Sequence, residues 1–230
     1  MKRFIGHTYT VVVLIGMVLL SILADTDLPY ALFILILMGF ALVWSKGWKW
    51  EVVGLKKPKK FITLLLGAML WALGIVIFST LTIPLLEHFF GKQDLSFFDP
   101  LRGNTTAYLL FLLQIWVFVA FFEEFAFRGY LMLQLERLFG HSSKAIILAV
   151  LLSSIIFGMG HNYQGVTGII LTGTIGGILG ISYYVHKRNL WMPVLIHGFV
   201  DTIYISLVYT DLDIKIEETL AIMLQFIYVL

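Results

Sequence analysis

Two adjacent glutamates, Glu123 and Glu124, stand inside a strongly apolar and aromatic stretch, and Arg128 follows four residues after the second. On a helix, residues four apart share a face, so Glu124 and Arg128 can form an ion pair. Glu123 points about 100° away, which leaves its carboxylate free to transfer protons. The spacing therefore predicts one structural and one chemically free glutamate. The alternative is an interfacial ion pair beside a glutamate whose side chain reaches toward water.

Two histidine motifs lie downstream of the glutamates. Phe157 and His161 are four residues apart near the end of one apolar stretch, and His197 and Asp201 have the same spacing within another. Ionisable side chains inside apolar helices cost roughly 2.5 to 3.5 kcal/mol each on insertion scales, so they should face the protein interior. We therefore predict that His161 and His197 converge with Glu123 on one cavity. Taken alone, His161 is also compatible with an interfacial histidine, and His197 with a neutral histidine that packs against its aspartate.

Together these side chains supply two carboxylates and two imidazoles, which can activate water, stabilise an oxyanion and protonate a leaving amine. This chemistry predicts hydrolysis of a peptide bond. The serine motif G-x-S-x-G and the zinc motif H-E-x-x-H are both absent. The chain has no cysteine, which excludes a thiolate nucleophile. Its formal net charge of +2 does not indicate a basic surface for nucleic acid.

The elements that must position these residues are membrane helices. Hydrophobic residues make up 60% of the 230 residues and charged residues only 13%, a balance outside the soluble globular range. A span needs roughly 17 to 25 mostly apolar residues. We predict an all-α, polytopic transmembrane helical bundle of about eight spans, with residues 1–230 forming a single domain. The predicted spans are residues 9–24, 29–44, 61–86, 107–127, 145–161, 166–184, 190–209 and 218–230.

The basic residues are distributed unequally over this alternating topology, with thirteen of the 16 lysines and arginines on one side. Short cytoplasmic loops are enriched in these residues, which predicts that both termini are cytoplasmic. The largest group is a basic connection at residues 46–60, interpreted as a topology determinant and lipid contact. The sixth predicted span carries Gly173, Gly176, Gly177 and Gly180, whose spacing allows close packing against a neighbouring helix.

The ordered motifs resemble those of the CAAX protease and bacteriocin-processing family, also called the Abi family. They are Glu-Glu-x-x-x-Arg at residues 123–128, Phe-x-x-x-His at 157–161 and His-x-x-x-Asp at 197–201. The resemblance implies an intramembrane endopeptidase in which Glu123, His161 and His197 are catalytic. Asp201 stands where the CAAX prenyl endopeptidase branch has asparagine and bacterial relatives allow aspartate. This difference and the compact chain favour bacterial members linked to bacteriocin self-immunity or peptide processing, in a bacterial plasma membrane.

Two accounts of the chemistry are open. In the first, Glu123 and His161 activate water while His197 and Asp201 stabilise the oxyanion without a metal. In the second, His161, His197 and Asp201 bind a divalent metal such as zinc, and Glu123 is the base. We favour the first, because no helix carries the paired ligands of a dedicated zinc motif. The expected partners are the lipid bilayer and a hydrophobic or lipidated peptide or protein, admitted near the cytoplasmic leaflet.

Two other function classes use the same polar residues. A non-catalytic membrane scaffold or regulator would need them only for helix packing, and a transporter would use them as a proton relay. The transporter is disfavoured, since the sequence has no repeated halves with interrupted helices. The depth of the residues poses a separate problem. Simple spans place Glu123 and His197 toward the cytoplasmic side but His161 at the far end of its span, which predicts a tilted, broken or displaced helix.

Overall fold

The computed structural model describes residues 29–229, so the predicted first span at residues 9–24 and the final residue of the eighth lie outside the described residues. This part of the chain consists of helices joined by short connections and contains no strand, which confirms the all-α fold class. Short 3₁₀ helices lie at Trp50–Val53, Ser96–Leu101 and Asn162–Gln164. The main helices are α1 Pro29–Ser45, α2 Phe61–Phe90, α3 Thr105–Leu138, α4 Ser143–Met159, α5 Gly165–Val185, α6 Trp191–Tyr209 and α7 Leu212–Val229.

The helices have the length and surface of membrane spans. By length and composition, α2, α3, α5 and α6 can cross a bilayer, and α4 and most of α1 are shorter apolar helices. Large apolar side chains cover their outer faces, with Ile62 and Leu70 of α2 each 71% exposed. Such a surface is matched by lipid tails, which are equally apolar. The chain is an integral membrane protein; the count of eight spans and the cytoplasmic termini stay predictions.

Helix α3 is longer than the span predicted at residues 107–127, because it continues to Leu138. Charged residues usually end an apolar span, so Arg128 and Glu136 suggested from sequence that the span stops before them. Both are buried and ion-paired, however, so the helix continues through them. The extension moves Glu123 to the middle of α3. The difficulty of depth is also resolved, since α4 is short and His161, two residues beyond its end, reaches the same cavity as Glu123.

Two π-helical segments, Ile115–Val119 and Phe125–Leu131, interrupt α3 on either side of the glutamate pair. The pair itself lies in the regular turn Ala120–Glu124. π-helical turns are rare and are frequent at functional sites. Their wider turns change which residues share a face, so the surroundings of the glutamates depart from those of a regular helix.

Glycines bring α4 and α5 together. A Cβ added to Gly158 would lie 2.8 Å from the Cα of Gly173, and one added to Gly173 would lie 3.3 Å from the carbonyl oxygen of Ser154. Gly177 faces the side chain of the same serine. The close packing predicted for the glycines of this span is therefore confirmed, with α4 as the neighbouring helix.

The basic connection at residues 46–60 folds back onto the bundle. Its 3₁₀ helix, Trp50–Val53, places the side chain of Val53 in the core with no exposed surface. The carbonyl oxygen of Gly54 accepts a hydrogen bond of 2.8 Å from the N–H of Leu190. Besides any contact with lipid, this connection therefore covers the end of the bundle that carries most of the basic residues.

The α4–α5 contact predicts that Gly158→Ala lowers the free energy of unfolding by about 1 to 3 kcal/mol, because backbone atoms of α5 occupy the space a Cβ needs. Gly74→Ala is the matched control, since apart from its own stretch of helix backbone no atom lies within 4 Å of its Cβ position. It should gain helix propensity, up to about 1 kcal/mol. Thermal unfolding of both variants in detergent provides the measurement. Equal melting temperatures would show that the contact is looser than described.

Candidate active site

A cavity of about 560 Å³ lies within the bundle, and its wall includes Glu123, His161, His197 and Asp201. These side chains come from α3, from the turn after α4, and from α6. The prediction that the three motifs converge on one cavity is thus confirmed. Convergence has a physical reason, because polar groups that share a cavity avoid separate exposure to lipid.

Glu124 is fully buried and interacts with two partners. Nη1 of Arg128 donates a hydrogen bond of 2.6 Å to its Oε1, which confirms the predicted ion pair. The same oxygen lies 2.9 Å from Nδ1 of His197 on α6. The sequence predicted only the first of these contacts. The carboxylate therefore links α3 to α6 as well as pairing with a neighbour on its own helix.

Arg128 is enclosed almost completely, with 1% of its surface exposed. Its Nη2 donates a hydrogen bond of 2.7 Å to the carbonyl oxygen of Gly176 on α5. Its guanidinium carbon lies 4.7 Å from the centre of the Phe157 ring, within the range of a cation–π interaction. Arg128 is thus part of the core of the bundle. Its inclusion among the thirteen basic residues assigned to one side of the membrane was therefore wrong.

His197 has a carboxylate near each ring nitrogen. Nδ1 is 2.9 Å from Glu124, and Nε2 is 3.4 Å from Oδ2 of Asp201. A neutral imidazole donates from one nitrogen only, so both contacts are donations only when the ring is protonated. The shorter contact fixes the orientation of the ring, whereas 3.4 Å is long for a hydrogen bond. Nε2 is therefore the nitrogen better placed to donate to another acceptor in the cavity.

Glu123 and His161 each keep one polar atom without a partner in the described part of the chain. For Glu123 this atom is Oε2, which is buried. Nδ1 of His161 lies 2.9 Å from the carbonyl oxygen of Phe157. Because a carbonyl oxygen only accepts, Nδ1 carries the proton, and the second nitrogen, Nε2, remains for other interactions. A carboxylate and an imidazole that share this cavity can together bind and deprotonate a water molecule.

A family comparison covers these elements. Residues 105–203 match the family model described as type II CAAX prenyl endopeptidase Rce1-like, and this stretch contains all three motifs. Over residues 105–203 the chain is therefore similar to this CAAX protease family. The family resemblance predicted from the motifs is confirmed, and it supports a protease role. No curated protein and no solved structure shows significant similarity to the chain.

The side chains of residues 105–203 do not fit the zinc site considered from sequence. Among residues 29–229, no three His, Asp or Glu side chains converge as metal ligands. Nδ1 of His197 contacts Glu124 at 2.9 Å, so this nitrogen is already occupied. Catalytic zinc sites have three protein ligands, and the described side chains do not supply such a group.

Arg102 lines the cavity far from the glutamates in sequence and joins two connections. It binds both carboxylate oxygens of Asp213, at 2.8 and 2.7 Å, and also contacts Asp99 and Asp211. Burial opposes ionisation of Asp213, but hydrogen bonds from Arg102 prevail and lower the pKa of its carboxyl group. The contribution of this contact to stability is present at neutral pH and is lost as pH falls through the lowered pKa.

Ser79 and Tyr204 are among the polar residues of the cavity wall that sequence reasoning missed. The hydroxyl oxygens of both are buried without a hydrogen-bond partner in the part of the chain that the structure describes. Tyr204 lies seven residues after His197 and three after Asp201, so one face of α6 carries all three. That spacing was a usable signal. Ser79 had none, since a lone serine in an apolar span has many roles.

The enclosure of Arg128 predicts that Arg128→Ala lowers the free energy of unfolding by about 3 to 5 kcal/mol, because Glu124 loses a charged partner in a buried place. Arg128→Lys should fall between this variant and the wild type. A lysine restores the charge, but one ammonium group does not reproduce a planar fork that reaches both Glu124 and Gly176. Thermal unfolding in detergent tests the order of the three proteins. A wild-type melting temperature for Arg128→Ala would refute the structural role.

Proposed function

We propose that the protein is an intramembrane endopeptidase that cleaves hydrophobic, membrane-associated peptides or proteins. The observation that carries the proposal is that Oε2 of Glu123 is buried without a hydrogen-bond partner among the described residues, at a cavity whose wall also includes His161 and His197. A general base and a hydrogen-bond donor are the minimum set for water-mediated hydrolysis of a peptide bond. The family match of residues 105–203 supports the same class of reaction.

In this mechanism, Glu123 accepts a proton from a water molecule while Nε2 of His161 accepts a hydrogen bond from the same water. The resulting hydroxide attacks the carbonyl carbon of the scissile peptide bond. When the ring of His197 carries both protons, its Nδ1–H donates to Glu124 and its Nε2–H donates to the oxyanion that forms. The proton held by Glu123 then passes to the leaving nitrogen, and the C–N bond breaks. The products are a carboxylic acid and an amine, and transfer of the acid proton to the amine gives a carboxylate and an ammonium group.

The remaining motif residues position those that react. Glu124 and Asp201 hold the ring of His197 from its two nitrogens. The carbonyl of Phe157 selects the tautomer of His161, and its ring packs against the guanidinium of Arg128. Because rate depends on small displacements of reacting groups, this supporting layer matters for turnover even though it does not touch the peptide.

The substrate we propose is a hydrophobic or lipidated peptide in a bacterial plasma membrane. It is either of the CAAX type or a bacteriocin-related precursor, and cleavage of the second kind would serve peptide processing or self-immunity. Support comes from the wall of the cavity, which the polar site residues share with apolar side chains such as Ile83, Phe111 and Leu171. Asp201 favours the second kind of substrate, because the prenyl endopeptidase branch of the resembling family has asparagine there.

The adjacent glutamates offer a matched pair of variants. Glu123→Gln should reduce turnover by about two orders of magnitude or more, the usual scale for a lost acid–base group, and should leave thermal stability unchanged. Glu124→Gln should lower stability, because Arg128 then lacks a buried counter-charge. Cleavage of candidate hydrophobic peptides by the purified variants, beside their melting temperatures, separates the two effects. An active Glu123→Gln with an inactive but normally stable Glu124→Gln would reverse the assigned roles.

The assignment of water activation to Glu123 and His161 also leads to a prediction about the metal dependence of turnover. Turnover by the purified protein should survive removal of divalent metal with a chelator, since the water is activated by Glu123 and His161. Elemental analysis of the same active sample checks that removal is complete. Activity that disappears with stoichiometric zinc and returns when zinc is restored would overturn this account in favour of the metal-bound one.

A further inference from the structure

The cavity occupies one half of the bundle's depth. The second half of α2 contributes residues 76–87 to the wall, and the first half of α3 contributes residues 111–123. Helix α6 contributes from His197 toward its C-terminal end, and not from its first turn. Since α2 and α6 run toward the end at which α3 begins, all three helices line the cavity on the same side of the site.

The connections agree with the helices. Lys92, Arg102 and Gln164, which belong to the connections at that end, line the cavity, as does Asp213 in the first turn of α7. Among the described residues, none from the connections at 46–60, 139–142 or 186–190 does. These connections lie at the opposite end, where the packed 3₁₀ helix of residues 50–53 covers the bundle. The cavity thus approaches the surface at one end of the bundle and is closed at the other.

The two ends differ in charge. Fourteen lysines and arginines lie among the described residues, and one of them, Arg128, is buried inside the bundle. Of the other thirteen, ten lie at the closed end, and only Lys92, Arg102 and Lys215 lie at the open end. Short cytoplasmic loops are enriched in lysine and arginine, so the closed end is the cytoplasmic one. This is opposite to the expectation that substrates enter near the cytoplasmic leaflet.

We infer that the cavity opens toward the external face of the membrane and takes a hydrophobic peptide segment that arrives from outside the cytoplasm. The identity of the occupant rests on the proposed function, whereas the direction of opening rests on geometry and charge alone. A peptide exported across the membrane, or anchored in its outer leaflet, can reach Glu123 by this route. A lipidated protein that stays in the cytoplasm cannot.

The absence of cysteine makes the direction directly testable, because a single introduced cysteine reports one position. Gln114→Cys and Thr172→Cys place a thiol on the cavity wall, on α3 and α5. Lys57→Cys, in the exposed basic connection, is the matched control for the other side. A charged, membrane-impermeant maleimide reacts with the thiolate form, which requires water, so thiols facing lipid stay unmodified.

In intact cells the reagent should modify the two cavity variants, with no gain after permeabilisation, and should modify Lys57→Cys only after permeabilisation. Modification of the cavity variants only after permeabilisation, or only after denaturation, would overturn the inference, as would a labelled Lys57→Cys in intact cells. Labelling needs no turnover, so adding Glu123→Gln should leave the pattern unchanged. The expected labelling with no peptide cleavage by the parent protein would count against the proposed function alone.

Discussion

A buried carboxylate shared between two helices is the contact on which the candidate site depends. Moving Glu124 out of water costs several kcal/mol unless the charge is paired and hydrogen-bonded. Its Oε1 receives Arg128 from its own helix and His197 from α6, while its Oε2 has no partner among residues 29–229. The hydrogen bonds that the carboxylate accepts therefore offset only part of the free energy cost of its burial. Both partners are needed, and the orientation of His197 follows from the burial of an ion pair.

The same ion pair explains a glycine of α5. Nη2 of Arg128 reaches the carbonyl oxygen of Gly176, and a Cβ at that glycine would lie 3.0 Å from Phe157 and 3.4 Å from the guanidinium. A side chain there would displace the arginine or the ring. The small residues of α5 thus serve two purposes. Gly173 lets α4 approach, as its spacing predicted, and Gly176 lets the backbone solvate a buried cation.

Local spacing predicted what lies within one helix, and missed what depends on contacts between helices. The ion pair of Glu124 and Arg128 follows from the i,i+4 rule, and convergence of the motifs follows from the cost of isolated polar groups in lipid. The contact of Glu124 with His197 joins residues 73 positions apart, which no local rule encodes. The length of α3 was wrong for the same reason. The partners that allow Glu136 to stay in the helix, Tyr184 and Arg188, come from another part of the chain.

The polar atoms that lack partners are themselves an argument about the ligand. Buried polar groups are nearly always hydrogen-bonded, and in the described residues the side-chain exceptions number five. Two of them, on Glu124 and Arg128, belong to the buried ion pair. The other three, on Ser79, Glu123 and Tyr204, all belong to residues of the cavity wall. A peptide group offers an N–H to a carboxylate and a carbonyl oxygen to a hydroxyl, and water offers both, so this wall complements the reactants of hydrolysis in a way that an apolar packing surface would not.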